Sequence, residues 1–399
     1  MILTFKIMSS MKKSIFMVAL AAMSLASCSN DSVVEVPQPD EIKFNVVAAN
    51  AGRAANVYSA SNTMEQFSVY AAFQLAGEST HRSYIEGDVI KKEGPAWKNQ
   101  STRYWADGGH LDFYAVAGLA DNKFTTWVAG SEPTVAFTVN NDVTKQEDLL
   151  YAVKKNATKE NGVVNLNFRH GLSQIVFNAV NKKDKLYVKV KGIEVIGKFV
   201  TNGTLTLPGA DTDATLAAAN QGTWVNGAAS ATDITYAAYA NANGQEIAYN
   251  ANGTAVNLTN DNAGNGSMLL IPQEVKGWTP DEVGKYSIYD DRAVVKVDCE
   301  IWNVAGAKFD PDKDVPLHIG KAVLPLNANW EQGKKYTYTL VFGGSAAPGE
   351  TPGPGGYEED SKDPTNPTPI LETISFSVEV DDFANGESEK KEVDVTPEN

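Results

Sequence analysis

Cysteine is nearly absent from this sequence, which has two in 399 residues, Cys28 and Cys299. Secreted domains too small to build a core are usually rich in cysteine, so this chain must rest on packing. Histidine is as scarce. His81, His110, His170 and His318 stand far apart, with no HExxH, no His pair and no Cys/His ligand spacing. No metal and no cofactor is therefore expected. A GxSxG nucleophile elbow and a phosphate-binding P-loop are also missing. Carboxylates are plentiful, yet nothing marks out a glycosidase pair. The expectation is a protein that is not an enzyme. Positive charge is in deficit as well, with 34 Lys and Arg against 49 Asp and Glu and a net charge of −15. Nucleic acid and anionic membrane faces both need basic patches, so neither is an expected partner.

Long apolar runs are lacking too. The longest near the N-terminus is Ile15–Met23, behind Lys12 and Lys13, and a spanning helix needs about 20 apolar residues. A short apolar run after a basic start reads as a signal peptide, with Met11 the expected start. It ends Leu25-Ala26-Ser27-Cys28, a string that resembles the lipobox of bacterial lipoproteins. That resemblance implies cleavage between Ser27 and Cys28 and lipidation of Cys28. Stable anchoring takes more than one acyl chain, which the resemblance also supplies, so an outer-membrane tether is expected. The chain from Cys28 onward loses Lys6, Lys12 and Lys13 and so carries about −18. Cys299 is then left without a disulfide partner. On an apolar strand face it reads as a buried, inert thiol.

What is present is a period of two, the mark of half-buried strands. Apolar residues alternate with polar ones at Ile42, Phe44 and Val46, at Val135, Phe137 and Val139, and at Val164, Leu166 and Phe168. The pattern returns at Leu186–Val190, Leu205–Leu207, Val295–Ile301 and Tyr336–Phe342. Short strands split by Gly, Asn and Asp predict packed antiparallel sheets, an all-β sandwich architecture. Only Glu147–Val153 suggests a turn or two of helix. Asp310-Pro311-Asp312-Lys313-Asp314 begins like a calcium loop. Val315 stands where glycine is needed and Lys321 where an acid is needed, so it reads as a solvated turn.

Three stretches look like linkers: Ser29–Asp40; Ala210–Gly266, which with its isolated Trp224, Tyr236 and Tyr239 reads as strands with long, soft loops; and the Pro/Gly/acidic Gly343–Pro369, expected to lack packed structure. Beyond the last lies Thr373–Asp381, in which Ile374, Phe376, Val378 and Val380 alternate without error. This strand can dock on its own domain or pair with another chain.

Several segments together resemble the fimbrillin family, the lipoprotein pilus subunits of Bacteroidales. They are Tyr104–Ala115 with its Leu111-x-Phe113-x-Ala115, Asp148–Ala152, Phe168-x-His170-x-Leu172, Leu269–Gln273 and Trp330–Tyr338. The resemblance implies two tandem antiparallel β-sandwich domains with a C-terminal extension strand, the boundary falling near Asn167–Gly171. The expected organisation is a signal peptide (1–27), a lipid-proximal linker (28–40), an N-terminal β-sandwich (41–167), a C-terminal β-sandwich (168–342), a flexible linker (343–369) and a C-terminal extension (370–399). It also implies assembly: a protease cuts after an arginine in the loop following the first strand, that strand leaves, and a neighbour's C-terminal strand fills the groove. Here the first strand is Glu41–Ala49, the arginine is Arg53 in Ala51-Gly52-Arg53-Ala54, and the donor residues are Ile374, Phe376, Val378 and Val380. The 343–369 linker would span about 29 Å as a coil and about 80 Å if polyproline-like. The partners implied are copies of this chain or related pilus subunits, in a surface-exposed fimbrium. The alternative is a surface lipoprotein that never polymerises and binds glycan or host protein, with Trp224, Tyr236 and Tyr239 as stacking platforms.

Overall fold

The computed structural model describes residues 40–47, 64–212, 218–259, 267–277, 292–344, 357–358, 374–382 and 391–392. Through them run β1 (Lys43–Val47), β2 (Gln66–Leu75), β3 (His81–Glu93), β4 (Ala96–Asn99), β5 (Gly109–Ala117), β6 (Thr134–Thr138), β7 (Leu150–Ala157) and β8 (Val163–Asn167). There follow β9 (Arg169–His170), β10 (Ser173–Asn181), β11 (Leu186–Gly197), β12 (Asn202–Thr206), β13 (Thr223–Asn226), β14 (Ile234–Glu246), β15 (Val256–Asn257) and β16 (Met268–Leu270). The chain ends with β17 (Gln273–Val275), β18 (Val294–Asn303), β19 (Val315–Pro325), β20 (Ala328–Trp330), β21 (Lys334–Phe342), β22 (Tyr357–Glu358), β23 (Ile374–Asp382) and β24 (Lys391–Glu392). The fold is all-β. Its only helical pieces among the described residues are three-residue 3₁₀ turns.

The N-terminal half is built on a six-stranded antiparallel sheet, β4-β3-β2-β5-β7-β9. One face carries Phe67, Ala71, Phe113, Ala115, Leu150 and Ala152, and it is covered by Ile42, by Phe44 of β1 and by Val164 and Leu166 of β8. The other face carries Tyr70, Tyr114, Val116, Tyr151 and Val153, packed with Phe124, Val135 and Phe137. The C-terminal half sandwiches the sheet containing β10, β21 and β23 against β14-β11-β18-β19. Phe177, Tyr338, Leu340 and Phe342 meet Val188, Val190, Val297 and Ile301 in its core. Cys299 lies fully buried there, as its alternation required. Among the described strands, the pairings are antiparallel except β1 with β8 and β10 with β21.

The recognised motifs hold this frame together. Leu111, Phe113 and Ala115 point into the first core, and Gly109 lets β5 begin hard against β2, where a Cβ would meet the Gln74 carbonyl oxygen at 2.1 Å. Phe168 belongs to the first core and Leu172 to the second. Between them His170 Nδ1 meets Asp148 Oδ1 at 2.9 Å, both side chains fully buried. The Gly171 amide donates to the Leu149 carbonyl, and Trp224 Nε1 donates to the Gly171 carbonyl at 2.7 Å. In Trp330–Tyr338 the indole donates to the Tyr338 hydroxyl at 3.0 Å, and Gly333 turns the chain at φ +69°. These hydrogen bonds pair buried polar groups, which low-dielectric surroundings make costly to leave open.

Three expectations need correction. Glu147–Val153 does not coil into a helix, because Leu150–Ala157 is a strand whose alternate residues enter different cores. Burial on both faces removes the polar half of the alternation, which hid the strand. By contrast, the strands expected within Ala210–Gly266 are present in the 13-residue β14, paired with β11. Tyr357 and Glu358, inside the supposed structureless linker, pair with Val323 and Ala322. The Asp310–Asp314 turn is not wholly solvated either, since Asp314 is buried and its carboxylate accepts the amides of Ala305 and Asp310.

Candidate functional site

The leading strand sits in a seat it could vacate. Phe44 of β1 and Ile42 just before it point inward and are buried, while Lys43 and Asn45 face solvent. Its hydrogen-bonded neighbour is β8, in parallel register from Lys43↔Val163 to Val47↔Asn167, with Asn45 Nδ2 donating to Asn165 Oδ1 at 3.0 Å. At its N-terminal end the Ile42 amide donates to the Arg103 carbonyl at 2.8 Å and the Trp105 amide to the Asp40 carbonyl at 2.9 Å. Asn99 Nδ2 donates to the Ile42 carbonyl at 2.7 Å. Arg103 is itself fixed by Asp88, with Nε and Nη2 donating to the two carboxylate oxygens at 2.6 and 2.9 Å. That carboxylate raises the Arg103 guanidinium above its ordinary value.

Below the strand lies an aromatic slot. The Phe44 ring meets Phe113 edge-on at 5.6 Å and Phe67 at 6.3 Å between centroids. Phe168 packs on Phe67 at 5.2 Å, and Trp105 packs on Phe113 at 5.9 Å. Burying a large apolar side chain is worth about 1.5–3 kcal/mol. Ile42 and Phe44 together contribute about 3–6 kcal/mol to the seating of this leading segment.

The trailing strand lies in cis. β23 pairs antiparallel with β21 over nine residues, from Lys334↔Asp382 to Phe342↔Ile374. Ile374 and Val378 are core members and Val380 is partly buried against the same core; the side chain of Phe376 lies outside the described residues. Among the described residues beyond β23, the two-residue β24 pairs with it. Both candidate exchange strands therefore lie at or next to sheet edges, where ladders can open without dismantling a centre.

Ser27, Cys28 and Arg53 lie outside the described residues. The aromatics expected to form a glycan platform do not: Tyr236 and Tyr239 are buried, and Trp224 is partly buried against the core. Burial pushes the Tyr236 phenol up to about 12. One convergence was invisible in the sequence. His81, His110 and Asp112, the first 29 and 31 residues from the others, bring their ligand atoms within 4.8 Å of one another.

A family model described as fimbrillin-like matches residues 53–352. No curated protein matches the chain. Among solved structures it is similar to a fimbrial protein from Bacteroides vulgatus, at 16% identity and a TM-score of 0.49, over 84% of this chain and 98% of that one. It is also similar to the tip fimbrial protein Mfa3 from Porphyromonas gingivalis, C-terminally truncated, at 10% identity and a TM-score of 0.33, over 82% of this chain and 97% of that one.

Proposed function

This chain belongs to the fimbrillin-like family, and on that premise we propose that it is a structural subunit of a surface fimbrium, exported as a lipoprotein through Cys28 and polymerised by protease-triggered strand exchange to support adhesion. The family supports a fimbrial, adhesion-type subunit at the cell surface. The observation that carries the finer reading is the pair of edge-seated ribbons at opposite ends of the chain, β1 with Ile42 and Phe44, and β23 with Ile374 and Val378.

The physics of the exchange is a matter of tethering. While the loop through Arg53 is intact, β1 is held beside its seat at high effective concentration, and no outside strand can compete. Cutting after Arg53 severs β1, together with its Cys28 anchor, from the rest of the chain, so that nothing draws it back once it leaves. Its departure uncovers Phe67, Phe113, Val164 and Leu166 and the edge amides of β8. An extended segment with alternating apolar residues restores both contacts. Ile374, Phe376, Val378 and Val380 of a second copy or related subunit supply that alternation. A chain that donates β23 gives up its own pairing with β21, so the irreversible cut, rather than a large gain in contacts, sets the direction.

The test is assembly of the full chain under an Arg-specific protease, read by gel ladders and electron microscopy. Wild type is expected to form filaments, while Arg53→Ala and a chain lacking 373–399 stay monomeric. Equal assembly of Arg53→Ala would remove the cleavage gate, and filaments from the truncation would remove the donor role.

A further inference from the structure

We propose that His81, His110 and Asp112 form a binding site for a divalent transition-metal ion of the zinc class, on the sheet face away from β1. The fold builds it across three strands. Gln74 of β2 pairs with His81 of β3 on one side and with His110 of β5 on the other. The two imidazoles thus flank one residue on one face. Asp112 lies two positions beyond His110, on that same face, because side chains repeat every second residue along a strand. The ligand atoms lie within 4.8 Å of one another.

Zinc holds nitrogen and oxygen ligands at about 2.0–2.2 Å in a tetrahedron, which sets ligand atoms roughly 3.3–3.5 Å apart. Closing the present spacing takes rotamer movement of about an ångström in two half-buried histidines, on backbones fixed by ladders. The carboxylate is already oriented. Asp112 Oδ1 accepts the Asn156 amide at 2.8 Å, a second shell of the kind that tunes metal ligands. Asp112 Oδ2 lies 3.9 Å from His81 Nε2. Both histidines reach solvent, which leaves the fourth position to water. Two imidazoles with one carboxylate suit zinc, copper or nickel better than the hard cations calcium and magnesium. His170 and His318, the other two histidines of the chain, are buried.

One neighbour opposes the ion. Lys155 Nζ lies 2.8 Å from Asp112 Oδ2 and 2.5 Å from the Tyr114 hydroxyl. The ammonium shares the carboxylate oxygen that the ion would take and weakens the site. That gives the proposal a signature a chance histidine contact would lack: removing the lysine's charge strengthens binding.

The test is titration of the full chain, free of any histidine tag, with zinc chloride, by calorimetry and equilibrium dialysis. Wild type is expected to bind one zinc per chain and to melt at higher temperature with zinc than with a chelator. His81→Gln and His110→Gln, checked for native circular dichroism, are expected to lose at least about tenfold in affinity. Lys155→Gln is expected to gain. Absence of zinc binding by wild type, or unchanged affinity in both histidine variants, would overturn the proposal.

Discussion

Phe44→Ala probes whether the leading strand is a separable unit. The ring is 4% exposed and packs edge-on against Phe67 and Phe113. Truncating a buried Phe to Ala costs about 3–5 kcal/mol, as lost transfer energy plus a cavity that the rigid surroundings fill only in part. If β1 can leave while the sandwiches stay folded, that cost falls almost wholly on the seated state of β1. The ratio of unseated to seated strand then rises by roughly two to three and a half powers of ten, at 1.4 kcal/mol for each. Native-state hydrogen exchange reads this directly, because local openings have their own free energies. Amides of β1 and β8 are expected to exchange faster by that factor, while amides of β10 and β21, bonded in register from Gln174↔Lys335 to Asn181↔Phe342, keep their wild-type rates. Equal acceleration in both regions would refute the reasoning. It would mean that β1 opens only with global unfolding and cannot be exchanged.

Two further outcomes follow from the sequence and the buried groups. Cys28→Ser is expected to abolish incorporation of labelled palmitate and to release the protein from the membrane fraction; retention of label would place the lipid elsewhere. Burial pushes the phenols of Tyr236 and Tyr336 up to about 12, against about 10 in an unfolded chain, so the folded state keeps protons that the unfolded state loses. Their contribution is complete below pH 10 and falls across pH 10–12 by up to about 1.4 kcal/mol per pH unit for each tyrosine; denaturant titrations are expected to show this decline, shallower in Tyr236→Phe, and an unchanged slope in that variant would contradict the assignment.

The strands legible in the sequence were those with one wet face. Lys43–Val47, with Phe44 in and Asn45 out, is such a case, and so is Lys334–Phe342, in which Tyr336, Tyr338, Leu340 and Phe342 all point inward. Strands buried on both sides gave no alternation. Gln66–Leu75 and Gly109–Ala117 are packed between the two cores, so their polar positions are mostly gone. The same loss made Leu150–Ala157 look helical. Isolated aromatics leave core and surface open in the sequence, and here packing decides for the core: Tyr236 faces Phe199, 5.5 Å away.

By itself the sequence determined the class of protein. Few cysteines, few histidines and a repeating period of two leave a β-sandwich held by packing, and the ordered motifs from Tyr104 to Tyr338 carry the family, because local alternation and turn residues fix strands wherever they occur. Partnership was decided only by the tertiary structure. That β1 lies parallel to β8, 120 residues away, that β23 lies beside β21, and that β2 gathers His81, His110 and Asp112 all depend on which edge meets which. Those pairings are chosen by the summed burial of whole faces, a quantity no short window of residues contains.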